Sequence, residues 1–300
     1  MNIGQRRDRK IKTLCLLLGY SRQAFYKQKQ DREQALLKEE LVLQQVVSIR
    51  YRQKQVGARK LLVMLQPFFK EHAMNMGRDA FFDLLSVNGL LVRRRKRKVP
   101  RTTFSDHWMR KYPNLIVGMV VNRPNQLWVS DITYITLKEN FCYLSLVTDA
   151  YSRMIVGYNL GSSLNTQGCV RALRMGLKQL PTGTQLIHHS DRGCQYCSTE
   201  YVELLNDKGI TISMTQNSDP RENAIAERVN GIIKQEFLEV SYSSFIEAAT
   251  AIAEGIDIYN YERLHSSIDM LTPFQAHSAK GVLKRHWTNR YTNKKEVFMT

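Results

Sequence analysis

The stretch "SDPRENAIAERVNGIIKQE" (218–236) carries carboxylates that cannot all serve one purpose. Asp219, Pro220 and Glu222 have the pattern of a helix start: an N-cap, a proline at the first helical position and the glutamate of a capping box. Glu227, two turns into that predicted helix, has no capping role and sits among Ala224, Ile225, Ala226 and Val229. It is either a solvent-facing charge or a group retained for chemistry. Lys234, seven residues on, returns to nearly the same helix face. A cation set beside the carboxylate and a surface ion-pair ladder are equally good readings of it.

Two other acids fall where structure alone gives them no reason to be. Asp131 lies inside "WVSDITY", where strand alternation calls for a small or apolar residue. Asp191 ends the strand "TQLIHHS" and precedes the turn "RGCQY", at the carboxyl edge where open sheets collect ligands. From Asp191 the chain runs through a helix, a strand and a loop to the helix of Glu227, a path that returns near its start. Converging carboxylates repel and destabilise the fold unless a cation neutralises them. Hard oxygen ligands suit Mg²⁺ or Mn²⁺. A pair of such ions activates a water or a 3′-hydroxyl and stabilises the leaving oxygen in phosphodiester attack.

The elements that must position these acids begin after Asn125. "QLWVSDITYITL" and "FCYLSLVTDA", joined by "KEN", read as a hairpin, and "RMIVGYNL" as a third strand. A helix over about 166–180, the strand "TQLIHHS", the helix "STEYVELLNDKG" and the strand "ITISMT" follow. The pattern predicts an α/β domain, a mixed sheet flanked by helices, whose last two strands run parallel.

The chain before this region has a different texture. Residues 1–110 hold 25 Lys and Arg against 9 Asp and Glu, and residues 111–300 hold 19 against 18. Basicity concentrated in one region suits a polyanion, of which nucleic acid is the commonest, whereas spread charge would speak only for solubility. "IKTLCLLLGYSRQAFYKQKQ" (11–30) predicts two short helices joined by a glycine turn, with Ser21 capping the second, a helix-turn-helix-like pattern. Helical patterning continues to a stop at Asn88-Gly89. Arg93, Arg94, Arg95, Lys96, Arg97 and Lys98 then form an unbroken basic run before Pro100, which reads as an extended linker able to lie along phosphates or as a plain spacer. The expected organisation is a helical, basic, DNA-binding region (1–92), a basic linker (93–122), a catalytic core (123–278) and a basic tail (279–300). No run of 18 apolar residues occurs and the N-terminus lacks a signal-peptide core, so the chain is expected in the cytoplasm, at the nucleoid and away from membrane, with its five cysteines reduced.

Together these residues carry a family resemblance. Asp131, Asp191 and Glu227, with 35 residues between the last two, resemble the DDE triad of retroviral-integrase-like transposases. "QLWVSDITYI", "HHSDRGCQYCS", "DPRENAIAERVNGIIKQE" and "YNYERLHSSIDMLTP" resemble the second open reading frame product of IS3-family insertion sequences, over roughly residues 40–278. The family more usually has a proline before His265, where this chain reads "YERLH". The resemblance implies an RNase H-like core, Asp131, Asp191 and Glu227 as catalytic metal ligands for Mg²⁺ or Mn²⁺, and Lys234 as a DNA contact. It also implies cleavage and joining of strands at the terminal inverted repeats and target DNA. Its implied partners are further copies of the chain on DNA and the upstream open-reading-frame product.

Competing readings attach to other residues. Asp149, followed by Ser152 and Arg153, fits a turn in which Asp bonds its own backbone. His188, His189, Cys194 and Cys197 have zinc-ligand chemistry, but adjacent histidines on a strand point to opposite faces. Arg263 and His265 either bind DNA or brace the C-terminal helix. At the level of function, a catalytically silent DNA-binding relative needs a damaged triad, which this is not. A nuclease of the same fold stays open.

Overall fold

The computed structural model describes residues 11–92, 108–216 and 220–286. The basic run Arg93–Lys98 and Asp219 lie outside them. The chain divides into two compact units, residues 1–52 with 56–93, and residues 53–55 with 94–300.

The first unit is helical. Helix α1 covers residues 11–17, and α2 (Arg22–Arg52), α3 (Ala58–Met64), α4 (Gln66–Glu71) and α5 (Arg78–Val87) follow. The turn expected after α1 is present, with Gly19 at φ +68° and Ser21 Oγ accepting the Ala24 amide at 3.0 Å. The helix after it is not short: α2 runs 31 residues, because nothing from Arg22 to Arg52 breaks it. Only Val42 and Val46 of α2 are buried, and they pack with Leu61, Leu65, Phe69, Phe81 and Leu85 into the core of this unit. Gly89, at φ +66°, ends the unit's last helix where the sequence places a stop.

The second unit is built on five strands, β1 (Leu127–Thr136), β2 (Phe141–Asp149), β3 (Ile155–Gly161), β4 (Ile187–Ser190) and β5 (Thr211–Met214), in the order β3-β2-β1-β4-β5. β1, β2 and β3 pair antiparallel, β1 pairs parallel with β4, and β4 parallel with β5. This is the mixed sheet that the patterning predicts. Helix α6 (Thr166–Leu177) joins β3 to β4, and α7 (Cys194–Cys197) with α8 (Thr199–Asp207) joins β4 to β5. A 3₁₀ turn (Pro220–Asn223) leads into α9 (Ala224–Ile232), a π-helical turn (Ile233–Phe237), α10 (Phe245–Tyr261) and α11 (Pro273–His277).

Alternation along β1 sorts the layers. Trp128 and Ile132 join the core beneath α6 and α8, whereas Leu127, Val129 and Ile135 join the cores that contain Ala226, Val229 and Ile232 of α9. Asp131 therefore stands in the row that faces α9. On the other face α6 lies unusually close to the sheet, because Gly157 of β3 has no side chain: a Cβ there would fall 2.1 Å from the Ala172 carbonyl oxygen. The five cysteines are free thiols. Among the described residues no helix is long and apolar enough to cross a membrane.

Candidate active site

Strand register brings the first two acids together. In the parallel β1–β4 ladder Leu127 pairs with Ile187, Trp128 with His188 and Val129 with His189. The same offset carried two residues further sets Asp131 beside Asp191, just past the end of β4, and adjacent strands lie ~4.8 Å apart. Asp191 ends the strand because its Oδ1 accepts the Gly193 amide at 3.0 Å, folding the chain into a turn. A Cβ on Gly193 would sit 3.1 Å from that same oxygen and 3.1 Å from Gln195 Oε1, so any larger residue would crowd the turn.

Glu227 approaches from α9, and its position differs from the sequence reading. The α-helix begins at Ala224, so Glu227 lies in its first turn rather than its third. The reason is that residues 220–223 wind as a 3₁₀ turn, with Asn223 in the N-cap position and Glu222 turned back to accept the Gln216 amide at 2.5 Å. Glu222 thus bonds upstream of the turn, not at a helix N-cap. A carboxylate in the first turn is favoured by the helix dipole. Ala226, Val229 and Ile232 dock α9 on the sheet and leave Glu227 exposed at the rim.

The residue that joins α9 to Asp131 escaped the sequence reading. Asn230, three residues after Glu227 on the same face, donates from Nδ2 to Asp131 Oδ2 at 2.7 Å. Asp131 Oδ1 accepts the Ile132 amide at 2.8 Å. Burial, the charge of Asp191 and, more weakly, that of Glu227 push the Asp131 carboxyl up to about 7, against the pull of those two hydrogen bonds. Its signal in the sequence was the i, i+3 spacing from Glu227, which many unimportant residues share.

The donor set fits a hard divalent cation. It offers three carboxylates on three elements, with like charges that raise Asp131 when no cation is near. The Asn230 amide that holds Asp131 also keeps a buried Oδ1 with no hydrogen-bond partner among the described residues. As they stand, no three His, Cys, Asp or Glu side chains among the described residues are gathered tightly enough to hold an ion. Glu227 is the exposed member of the three.

Lys234 belongs to the π-helical turn, its ammonium 3.6 Å from the centroid of the Tyr134 ring and 3.3 Å from Thr133 Oγ1. The aromatic partner was not foreseen. The zinc reading does not assemble. His188 Nε2 bonds Ser130 Oγ at 2.8 Å and Tyr201 Oη at 2.9 Å, and His189 bonds Ser213 Oγ at 2.9 Å and the Glu222 carbonyl at 3.1 Å. Burial pushes the Cys197 thiol up to about 11, and it faces Met214 Sδ at 3.7 Å. Asp149 has its turn role: Oδ1 accepts the Ser152 amide at 2.7 Å and hydroxyl at 2.8 Å. Arg263 is a brace, buried and bidentate to Glu236 at 2.7 and 2.6 Å, while the His265 ring packs edge-on to Tyr259 at 5.0 Å between centroids.

Residues 121–220 match the family model described as an integrase core domain, and residues 208–273 match a second with the same description. An uncharacterized 31 kDa protein of insertion element IS600 from Shigella sonnei is 34% identical over 268 residues, 87% of this chain and 96% of that protein. A putative transposase for insertion sequence element IS986/IS6110 from Mycobacterium tuberculosis is 30% identical over 231 residues, 74% of this chain and 81% of that protein. Among solved structures, the catalytic core domain of HTLV-2 integrase in complex with magnesium is 20% identical, covering 52% of this chain and 97% of that one. Its TM-score is 0.42.

Proposed function

The chain belongs to the integrase-core transposases of insertion elements, and from that premise we propose that Asp131, Asp191 and Glu227 are the carboxylates at which it cuts and joins DNA strands. The enzyme is a DNA transposase of the DDE type. The observation that supports the assignment of residues is electrostatic and geometric together. One strand offset aligns Asp131 with Asp191, the first turn of α9 carries Glu227 within reach of Asp131 electrostatically, and burial with the charges of Asp191 and, more weakly, Glu227 raises Asp131.

The three carboxylates would hold Mg²⁺ or Mn²⁺, which when bound supplies Lewis-acid activation of the attacking water or 3′-hydroxyl and stabilises the departing oxygen. Asn230 fixes the orientation of the Asp131 carboxylate, so that one oxygen stays committed to the amide and the group cannot spin. Lys234, held over the Tyr134 ring and beside Thr133 Oγ1, offers a cation to a phosphate. The charge asymmetry of the chain supports giving the basic residues 1–92 and Arg93, Arg94, Arg95, Lys96, Arg97 and Lys98 to the DNA backbone, residues 123–278 to catalysis and residues 279–300 to a DNA-proximal tail. The substrates are the element's terminal repeats and target DNA. The working assembly is a homo-oligomer on that DNA at the nucleoid, joined by the upstream product of the same element.

The test is incubation of the purified protein with linear DNA bearing the terminal repeats and Mg²⁺ or Mn²⁺. Wild type should cut and join, and Glu227→Gln should bind the DNA and do neither. Equal strand transfer by both proteins removes Glu227 from the catalytic set.

A further inference from the structure

Two consecutive residues just before α9 are held by two different strands. The main-chain oxygen of Glu222 lies 3.1 Å from His189 Nε2 in β4, and Asn223 Nδ2 donates to the main-chain oxygen of Ser130 in β1 at 3.0 Å. Ser130 is the neighbour of Asp131, and His189 stands two residues before Asp191. The turn that launches the Glu227 helix is thus pinned both to the strand that carries Asp131 and to the strand that runs into Asp191.

The protons in this pin can be assigned from the partners. A carbonyl oxygen only accepts, so His189 Nε2 carries hydrogen and donates to Glu222. With that nitrogen protonated, Nδ1 of the neutral ring accepts from the Ser213 hydroxyl at 2.9 Å. Ser213 Oγ in turn accepts the Leu115 amide at 2.9 Å. Every donor in this chain is used once. His189 is 0% exposed, so water cannot substitute for a lost partner. Both ring nitrogens are occupied, which leaves the imidazole no lone pair for a metal or a substrate.

We infer that His189 is a positioning residue for the transposase carboxylates, fixing the start of α9, and with it Glu227, against the strand that carries Asp191. Asn223 does the same against the strand of Asp131. The inference rests on the assignment of the three acids above. A 3₁₀ turn of four residues has little stability of its own, so its position is set by what it is bonded to. Displacing a catalytic group by about 1 Å costs on the order of 100-fold in rate.

The experiment exploits amide mimics of the two ring nitrogens. Glutamine at 189 places an N–H where Nε2 stands, and asparagine reaches only the Nδ1 position. Cutting of a linear duplex with the terminal repeats is followed as Mg²⁺ is titrated, alongside DNA affinity and melting temperature. His189→Asn should lower kcat by roughly 10- to 100-fold and raise the Mg²⁺ concentration for half-maximal cutting, with DNA affinity unchanged. His189→Gln should restore most of both. The inference is overturned if His189→Asn cuts with the wild-type Mg²⁺ midpoint. It is equally overturned if both variants lose activity alike and in step with melting temperature, the mark of a ring that only fills space. Should His189→Asn fail to fold, Asn223→Ala must show the raised Mg²⁺ midpoint, and an unchanged midpoint there overturns the pin. Glu227→Gln run beside these separates the two levels: if it cuts like wild type, the acids themselves are misassigned.

Discussion

Asp131 provides a thermodynamic test that needs no DNA. Its carboxyl titrates at about 7 in the folded protein, against an ordinary aspartate value of ~3.9 in the unfolded chain. The folded state therefore holds the proton more tightly, and the sign follows. The stability associated with this proton is fully present below the unfolded value, is lost as pH rises from ~4, and is gone above about 7. The gap corresponds to ~4 kcal/mol, a ceiling because part of the group meets solvent. Asp131→Asn removes the charge and keeps one oxygen for the Ile132 amide, while its new NH₂ donates to Asn230 Oδ1 once that side-chain amide flips. In chelator at pH 8 the variant should melt higher than wild type, by at most roughly 8–16 °C, taking ~2–4 °C per kcal/mol for a unit of this size. The difference should shrink toward pH 4, and millimolar Mg²⁺ should raise the melting temperature of wild type but not of the variant. Scanning calorimetry at several pH values, with and without Mg²⁺, reads all three. A variant that melts at or below wild type at pH 8, or a difference that does not change with pH, refutes the reasoning.

Other consequences are equally concrete. Gly157→Ala should destabilise the second unit by several kcal/mol, because its methyl would meet the Ala172 carbonyl oxygen at 2.1 Å; a melting temperature within a degree or so of wild type would contradict the close packing of α6. Arg263→Ala should cost ~3–5 kcal/mol by leaving Glu236 half-buried without its cation, and urea unfolding measures it. Replacing Arg93, Arg94, Arg95, Lys96, Arg97 and Lys98 by glutamine should flatten the slope of log affinity for duplex DNA against log salt by up to ~5 if all six meet phosphates; a change below ~1 would make the run a spacer.

The three candidate acids stand out in the sequence because each falls where propensity gives no reason for a charge: Asp131 in mid-strand, Asp191 at a strand end, Glu227 beyond any cap. The strands were legible for the same local reason, alternation, and so were the stops at Gly19 and Gly89, whose positive φ follows from having no Cβ. The true start of α9 was not. The sequence pattern of Pro220 and Glu222 is that of a helix N-terminus, yet tertiary contacts made a 3₁₀ turn of it and moved Glu227 into the first α-helical turn.

What the chain determined alone is which residues carry charge, which faces are apolar and where the backbone must turn, since these follow from each residue and its near neighbours. Only the folded structure decided that one strand offset sets Asp131 beside Asp191, that Asn230 claims an oxygen of Asp131, and that His189 and Asn223 grip the same turn. Those are hydrogen bonds between residues far apart in the chain, and their register is chosen by the packing of whole strands and helices, which no local pattern encodes.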